Sequence, residues 1–362
     1  MKKLVSLLTL LALLLSLAGC GDNGAKQPDE PKDPPAPSAA QPDDKEPAGE
    51  PAESFDTKYA WSLSTTYATG SPMVDGYFTF AELLSDYTDG AIDLQVFPDG
   101  TLYGETDAIM AVKGGELEFT GSGPIAITTH MEEYGFITAP FMITSWDQME
   151  QLWSSDLIGK ALDAMETSYN TKNVGGLSYR GFRNTSCSKP VTNVDDFQGV
   201  LLRMNTNAVM NAVFNGIGAV CVPISLNELY SSLQNGAVQA SEGPWEQMVT
   251  YNLYEVQDYI METRHLADST CIWMDNALYD SLPAHYQAAV DRAAQEAAAL
   301  IQENCTAQEA DYLKTMQDKG CELVACDISG FIANAETAWN DLFASTWTVT
   351  TLDEVRSMAG IA

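Results

Sequence analysis

Basic side chains and histidines are what this sequence has least of. Eighteen Lys and Arg stand against 50 Asp and Glu in 362 residues, a formal charge of −32, and there are three histidines. A chain so acidic is repelled by phosphate backbones and anionic headgroups, so no nucleic-acid partner is expected. Neither His-Glu-x-x-His nor Gly-x-Ser-x-Gly occurs, and Gly121-Ser122-Gly123 has no evident base near it in sequence. Zinc hydrolases and serine hydrolases of the common kinds therefore find no support, and no catalytic residue, metal or cofactor is expected. Cysteine is also sparse and without a Cys-x-x-Cys. Cys20 apart, most of Cys187, Cys221, Cys271, Cys305, Cys321 and Cys326 are expected as buried free thiols, because a chain of this length does not need staples to hold its core, and the sequence singles out no disulfide pair among them.

The chain opens with Lys2 and Lys3, an apolar run from Leu4 to Leu17, and Leu17-Ala18-Gly19-Cys20. A charged start, a short greasy stretch and small residues make an export signal over 1–19, too short to span a bilayer comfortably. Cys20 in the cleavage position resembles a bacterial lipobox, which implies a mature N-terminus acylated at Cys20 and anchored to the membrane by more than one chain. Eight of the 16 prolines fall in residues 21–54, among acids, Ala and Gln. That composition buries no core, so 20–54 is expected to be a tether that lets the folded part stand up to about 100 Å from the bilayer.

Residues 55–362 hold 13 Lys and Arg against 41 Asp and Glu and are long enough for two α/β lobes. Strands are expected at 59–64, 92–96 and 117–120, with helices at 73–87, carrying Val74, Phe78, Ala81 and Leu84 on its apolar face, and at 105–113. A helix over 146–169 and a strand over 174–179 follow. Then the rhythm restarts with strands at 199–204, 220–222 and 237–240 and helices at 208–214 and 226–235. The alternation predicts a parallel sheet covered by helices. The Ala-rich stretch 283–319 reads as one long helix bracing both lobes.

Of six arginines, Arg180, Arg183 and Arg203 lie within 24 residues of one another. Arg203 interrupts an apolar strand, Val200-Leu201-Leu202-Arg203-Met204, and a guanidinium there needs an anion. A planar fork of donors suits a carboxylate. On composition alone that carboxylate belongs equally well to a captured ligand or to one of the chain's own acids.

Ordered segments then carry a resemblance: Leu94–Leu102, Gly115–Phe119, Ala139-Pro140-Phe141, Asp196–Arg203 and Glu228–Gly236 together are similar to the solute-binding proteins of TRAP transporters, the DctP-like family, over about 56–345. The resemblance implies a two-lobed α/β fold of the periplasmic-binding-protein type II kind, with a hinge and a cleft between lobes. Lobe 1 is expected over about 56–180 and 266–308, and lobe 2 over about 181–265 and 309–362. It implies that Arg203 pairs with the carboxylate of a small organic acid and that Arg183 contacts it too. The loop containing Ser122 and Gly123, with Glu105, Tyr230, Tyr67, Trp273 and Asn276, falls at or near positions that face the cleft. The family's Glu-Asn-Pro is here Glu242-Gly243-Pro244, so Gly243 lacks the asparagine amide and leaves space for a larger ligand or for Trp245, whose indole is otherwise a core residue. Leu226 replaces an aromatic. Implied partners are the ligand, the TRAP membrane subunits and the membrane itself, at an extracytoplasmic location. A receptor-docking sensor and an ABC-importer binding protein remain open from sequence.

Overall fold

The computed structural model describes residues 54–206 and 208–361. The signal segment 1–19, Cys20 and the tether up to residue 53 lie outside the described residues. In chain order the first elements are β1 (Tyr59–Thr65), α1 (Pro72–Tyr87), β2 (Ile92–Phe97), α2 (Glu105–Gly114), β3 (Phe119–Ser122), α3 (Ile125–His130), α4 (Trp146–Trp153), α5 (Asp156–Tyr169) and β4 (Thr171–Cys187). They continue as β5 (Leu201–Met204), α6 (Ala208–Ile217), β6 (Val220–Pro223), α7 (Leu229–Gln234), β7 (Ala240–Pro244), α8 (Trp245–Thr250) and β8 (Tyr259–Asp275). The chain finishes with α9 (Asn276–Ser281), α10 (Ala284–Asp318), β9 (Glu322–Val324), α11 (Ser329–Ser345) and α12 (Leu352–Met358).

The strands join in the order β2-β1-β3-β8-β4-β7-β5-β6, with β9 beside β8. The sheet is mixed and not parallel throughout as the alternation predicted: β1 runs parallel to β2 and β3, and β5 to β6 and β7, but β8 is antiparallel to β3 and β4, and β4 to β7. The reason is a pair of 17-residue strands, β4 and β8, of which the sequence suggested only 174–179. Their first stretch pairs at Thr171–Val174 with Ile272–Asp275 beside β3, and their last at Thr185–Cys187 with Tyr259–Met261 beside β7. Between lie register shifts at Val174/Ser178, Tyr179/Gly181 and Arg183/Thr185. Bulges bend and twist strands, so this is where two halves of one sheet turn relative to each other.

Local chemistry explains the elements that sequence located well. Ser71 caps α1, its Oγ accepting from the Val74 amide, with Pro72 in the first turn. The buried face of α1 is Met73, Val74, Tyr77, Phe80 and Leu84, while Phe78 is 44% exposed. Two stripes compete on this helix, and the one carrying Phe80 wins because its ring meets Phe119 edge to face at 5.3 Å. The single helix expected over 146–169 is two, since Ser155 turns its hydroxyl to the Ile158 amide and starts α5 afresh. Helix α10 is continuous over 35 residues and packs on α1, β4 and α8, bracing both halves of the sheet. Its buried alanines, Ala289, Ala293, Ala294, Ala297 and Ala298, are a packing face as well as good helix formers: a Cβ at Gly175 of β4 would stand 2.6 Å from the Ala294 carbonyl oxygen. Helix α11 packs on α6 and α12 on α4. The six cysteines of the described region are free thiols.

Candidate functional site

The bulged middle of β4 and β8 is where charge is buried. Arg180 and Arg183 on β4, Arg203 on β5, Glu242 on β7, Glu246 at the start of α8 and His265 and Asp268 on β8 are all at most 9% exposed. Each strand brings its residue to the same place because β7 sits between β4 and β5, and β8 lies on the other side of β4.

Arg183 grips Glu242 with both prongs, Nε to Oε2 at 2.5 Å and Nη2 to Oε1 at 2.6 Å, and gives Nη1 to Asp268 Oδ2 at 2.7 Å. Arg180 donates to Asp268 at 3.2 Å, Glu246 at 3.1 Å and Gln247 Oε1 at 3.3 Å, and its guanidinium lies 4.3 Å from the Tyr67 ring centroid. Burial opposes charge on both arginines, but Glu242, Glu246 and Asp268 outweigh it and hold both pKa values above the ordinary one. Burial likewise opposes charge on Glu242, where Arg183 and the hydrogen bond from His265 overcome it and hold the carboxyl far below its usual range. With a proton on Nε2, His265 donates to Glu242 at 3.2 Å while Nδ1 accepts from Thr263 at 2.9 Å. The resemblance implies that Arg183 contacts the ligand; here all three of its nitrogens meet the protein's own acids, Glu242 reaching it from two residues along β7, and Arg183 also lines a small cavity.

Arg203 differs. It is 2% exposed, its Nε donates to the Ile224 carbonyl at 2.9 Å, and no acid among the described residues forms an ion pair with it. Burial, with Arg183 adding and Glu242 opposing, lowers its pKa to about 10, which leaves it charged at neutral pH. It lines a cavity of about 220 Å³ together with Thr66, Glu105, Asn205, Leu226 and Asn227. A second, smaller cavity of about 40 Å³ is lined by Tyr67, Glu105, Gly123, Arg180, Arg183 and Asp268. Glu105, in the first turn of α2, borders both. Its Oε1 accepts the Ser122 hydroxyl at 3.0 Å, and burial raises its pKa against the pull of Ser122 and the three arginines.

The other expected residues divide by surroundings. Gly123 lines the smaller cavity, and a Cβ on it would stand 2.7 Å from the Ser269 carbonyl oxygen; Ser122 meets the cavities through its hydrogen bond to Glu105. Trp273 supports this loop from behind, its indole nitrogen donating to the Ser122 carbonyl at 3.1 Å. Trp245 is a core residue, packed with Leu229, Leu233, Met248 and Leu253. The space expected beside Gly243 is filled by Gln247, whose Nε2 lies 2.4 Å from where a Cβ would be. Tyr230 points away and gives its hydroxyl to Glu255 at 2.8 Å. Asn276 turns to Asp280 at 3.1 Å. Sequence reasoning missed two hydrogen bonds that tie the halves across the cleft, Thr106 to Thr206 at 2.9 Å and Tyr251 hydroxyl to the Thr66 carbonyl at 2.5 Å. It also missed Asp268, which sits on a strand whose polar residues hid it.

Residues 63–346 match the DctP family, described as bacterial extracellular solute-binding protein, family 7. The C4-dicarboxylate-binding periplasmic protein DctP of Rhodobacter capsulatus is 24% identical over 287 residues, covering 77% of this chain and 83% of that protein. The sugar acid binding protein DctPAm from Advenella mimigardefordensis, solved in complex with galactonate, superposes with a TM-score of 0.79 at 22% identity over 84% of this chain and 98% of its own. A TRAP periplasmic solute binding protein from Roseobacter denitrificans with bound L-galactonate gives 0.77 at 23% identity, covering 83% and 99%. At such identity the structures establish the two-lobed α/β fold. With the match over most of its length, the chain belongs to the DctP family of bacterial extracellular solute-binding proteins, family 7.

Proposed function

We propose that this protein captures a small organic carboxylate between the two halves of its sheet and delivers it to the membrane subunits of a TRAP-type transporter. The observation that carries this reading is Arg203, a buried guanidinium facing a cavity without an acid of its own. A charge held out of water is costly unless an anion meets it, and neighbouring Arg183 shows what satisfaction looks like in the same cluster, with all three of its nitrogens on acids. Relatives named for C4-dicarboxylates and solved with galactonates bound make a carboxylate the natural counter-ion.

Lobes over about 56–180 with 266–308, and 181–265 with 309–362, would meet at the bulges of β4 and β8. A ligand touching Arg203 from one lobe and the Ser122–Gly123 loop or Glu105 from the other favours the closed arrangement over the open one. Cys20 carries the anchoring lipid in this reading. Radiolabelled palmitate should enter the wild-type protein and not Cys20→Ala; label retained in the variant would remove the anchor.

Arg203→Lys tests the central contact. It keeps the charge and loses the fork, so binding of a carboxylate found by thermal-shift screening should weaken by about 1.5–3 kcal/mol in calorimetry. Undiminished affinity would reject Arg203 as the carboxylate's partner.

A further inference from the structure

We infer, on the footing of that reading, that the ligand is a singly charged carboxylate with a neutral, hydroxyl-bearing remainder, and that Glu105 keeps a second carboxylate out. The argument is one of charge inventory within reach of the cavity. Arg180 and Arg183 are shared among Glu242, Glu246 and Asp268 through ion pairs of 2.5–3.2 Å, so two guanidiniums already face three acids. Their charge is already matched within the protein by these acids. Among the residues lining the larger cavity, Arg203 is the one cation, and Glu105 and Asp107 are acids on the same wall.

One ligand carboxylate matches Arg203. A second one meets no cation and lies near Glu105, a like charge in a poorly solvated place, which is strongly unfavourable. The remaining polar lining is neutral: Thr66, Thr106, Asn205, Thr206, Ser225 and Asn227 exchange hydrogen bonds with hydroxyls at no cost in charge. Glu105 itself is held by the Ser122 hydroxyl at 3.0 Å and serves a ligand hydroxyl as acceptor when ionised or as donor when protonated.

Matched acids decide the matter. Galactonate and galactarate differ in that the far carbon of the second is a carboxylate; erythronate and meso-tartrate are a shorter pair of the same kind. Calorimetry on the wild-type protein should show the monoacid of at least one pair binding about tenfold or more tightly than its diacid. Glu105→Gln should narrow that ratio severalfold by strengthening the diacid. A diacid that binds as tightly as its monoacid, with heat lost in Arg203→Lys, overturns this inference and leaves the carboxylate reading standing. If no carboxylate in a broad panel gives Arg203-dependent heat, the reading itself fails and takes the inference with it.

Discussion

Three arginines within 24 residues of sequence end in different electrostatic circumstances, and the difference is set by which strand lies next door. Arg183 stands opposite Pro244 on β7, two residues from Glu242, and spends its fork there. Arg203 sits on β5 with Ser241 of β7 and Val222 of β6 beside it, neither an acid. Removing one partner of a buried pair leaves the other uncompensated, so Glu242→Gln should cost about 3–5 kcal/mol of unfolding free energy in urea titrations. A cost within experimental error would mean that solvent reaches Arg183. The same cluster sets a pH dependence. Burial holds His265 below its ordinary 6.5, so its contribution is full above that value and is lost as pH falls, because the unfolded chain takes up a proton that the folded one resists. Glu242, held far below 4.5, keeps its contribution until much lower pH. Glu105 and Glu246 are raised; below their raised values the folded chain binds protons first, which offsets part of the loss. Stability should therefore drop as pH falls through 6.5, and His265→Gln should flatten that slope. Equal slopes for the two proteins would clear His265 of the effect.

At the scale of elements, what counts is how closely α10 lies on β4. Gly175 has φ +84 and no room for a side chain, since the Ala294 carbonyl occupies the place of its Cβ. Gly175→Ala should destabilise by about 2 kcal/mol or more, combining left-handed strain with a clash against backbone that cannot swing aside. Gly176, at φ +82 with open space around it, is the control: Gly176→Ala meets the backbone strain alone and should cost less. Similar thermal midpoints for both variants would show that α10 moves away freely. Short helices and strands with a polar and an apolar face were legible from sequence, as β1, β2, α1 and α2 show. The paired strands β4 and β8 were not. Both faces of their central stretch are covered, so Arg180, Arg183, Asn184, Asp268 and Ser269 are buried and no alternation marks them; the guanidiniums of Arg180 and Arg183 find their acids far along the chain, although Arg180 Nε has no hydrogen-bond partner.

At the scale of the molecule the field opposes the task. Residues 55–362 carry 13 basic against 41 acidic residues, so under the proposed reading an incoming carboxylate is repelled until it is near Arg203. Screening lengths shrink from about 30 Å at 0.01 M salt to about 8 Å at physiological ionic strength. Association in stopped flow should therefore quicken as salt rises from very low values, and rates that stay flat or fall would show that local charge already dominates at long range. β4, β8 and α10 run through both halves of the sheet, and the Thr106–Thr206 and Tyr251–Thr66 hydrogen bonds join those halves.

Composition and order were enough to establish several things about this protein: an acidic α/β chain, a long alanine-rich brace, a guanidinium in a greasy strand, and a set of segments in the order of a binding-protein family. These follow from hydrophobic period, propensity and charge, which act along the chain. Tertiary structure alone decided which arginine is left without an acid, that Trp245 is core and that Gln247 occupies the room beside Gly243. Strand register and side-chain neighbours across a mixed sheet join residues 59 to 88 positions apart, and no local pattern encodes such pairings.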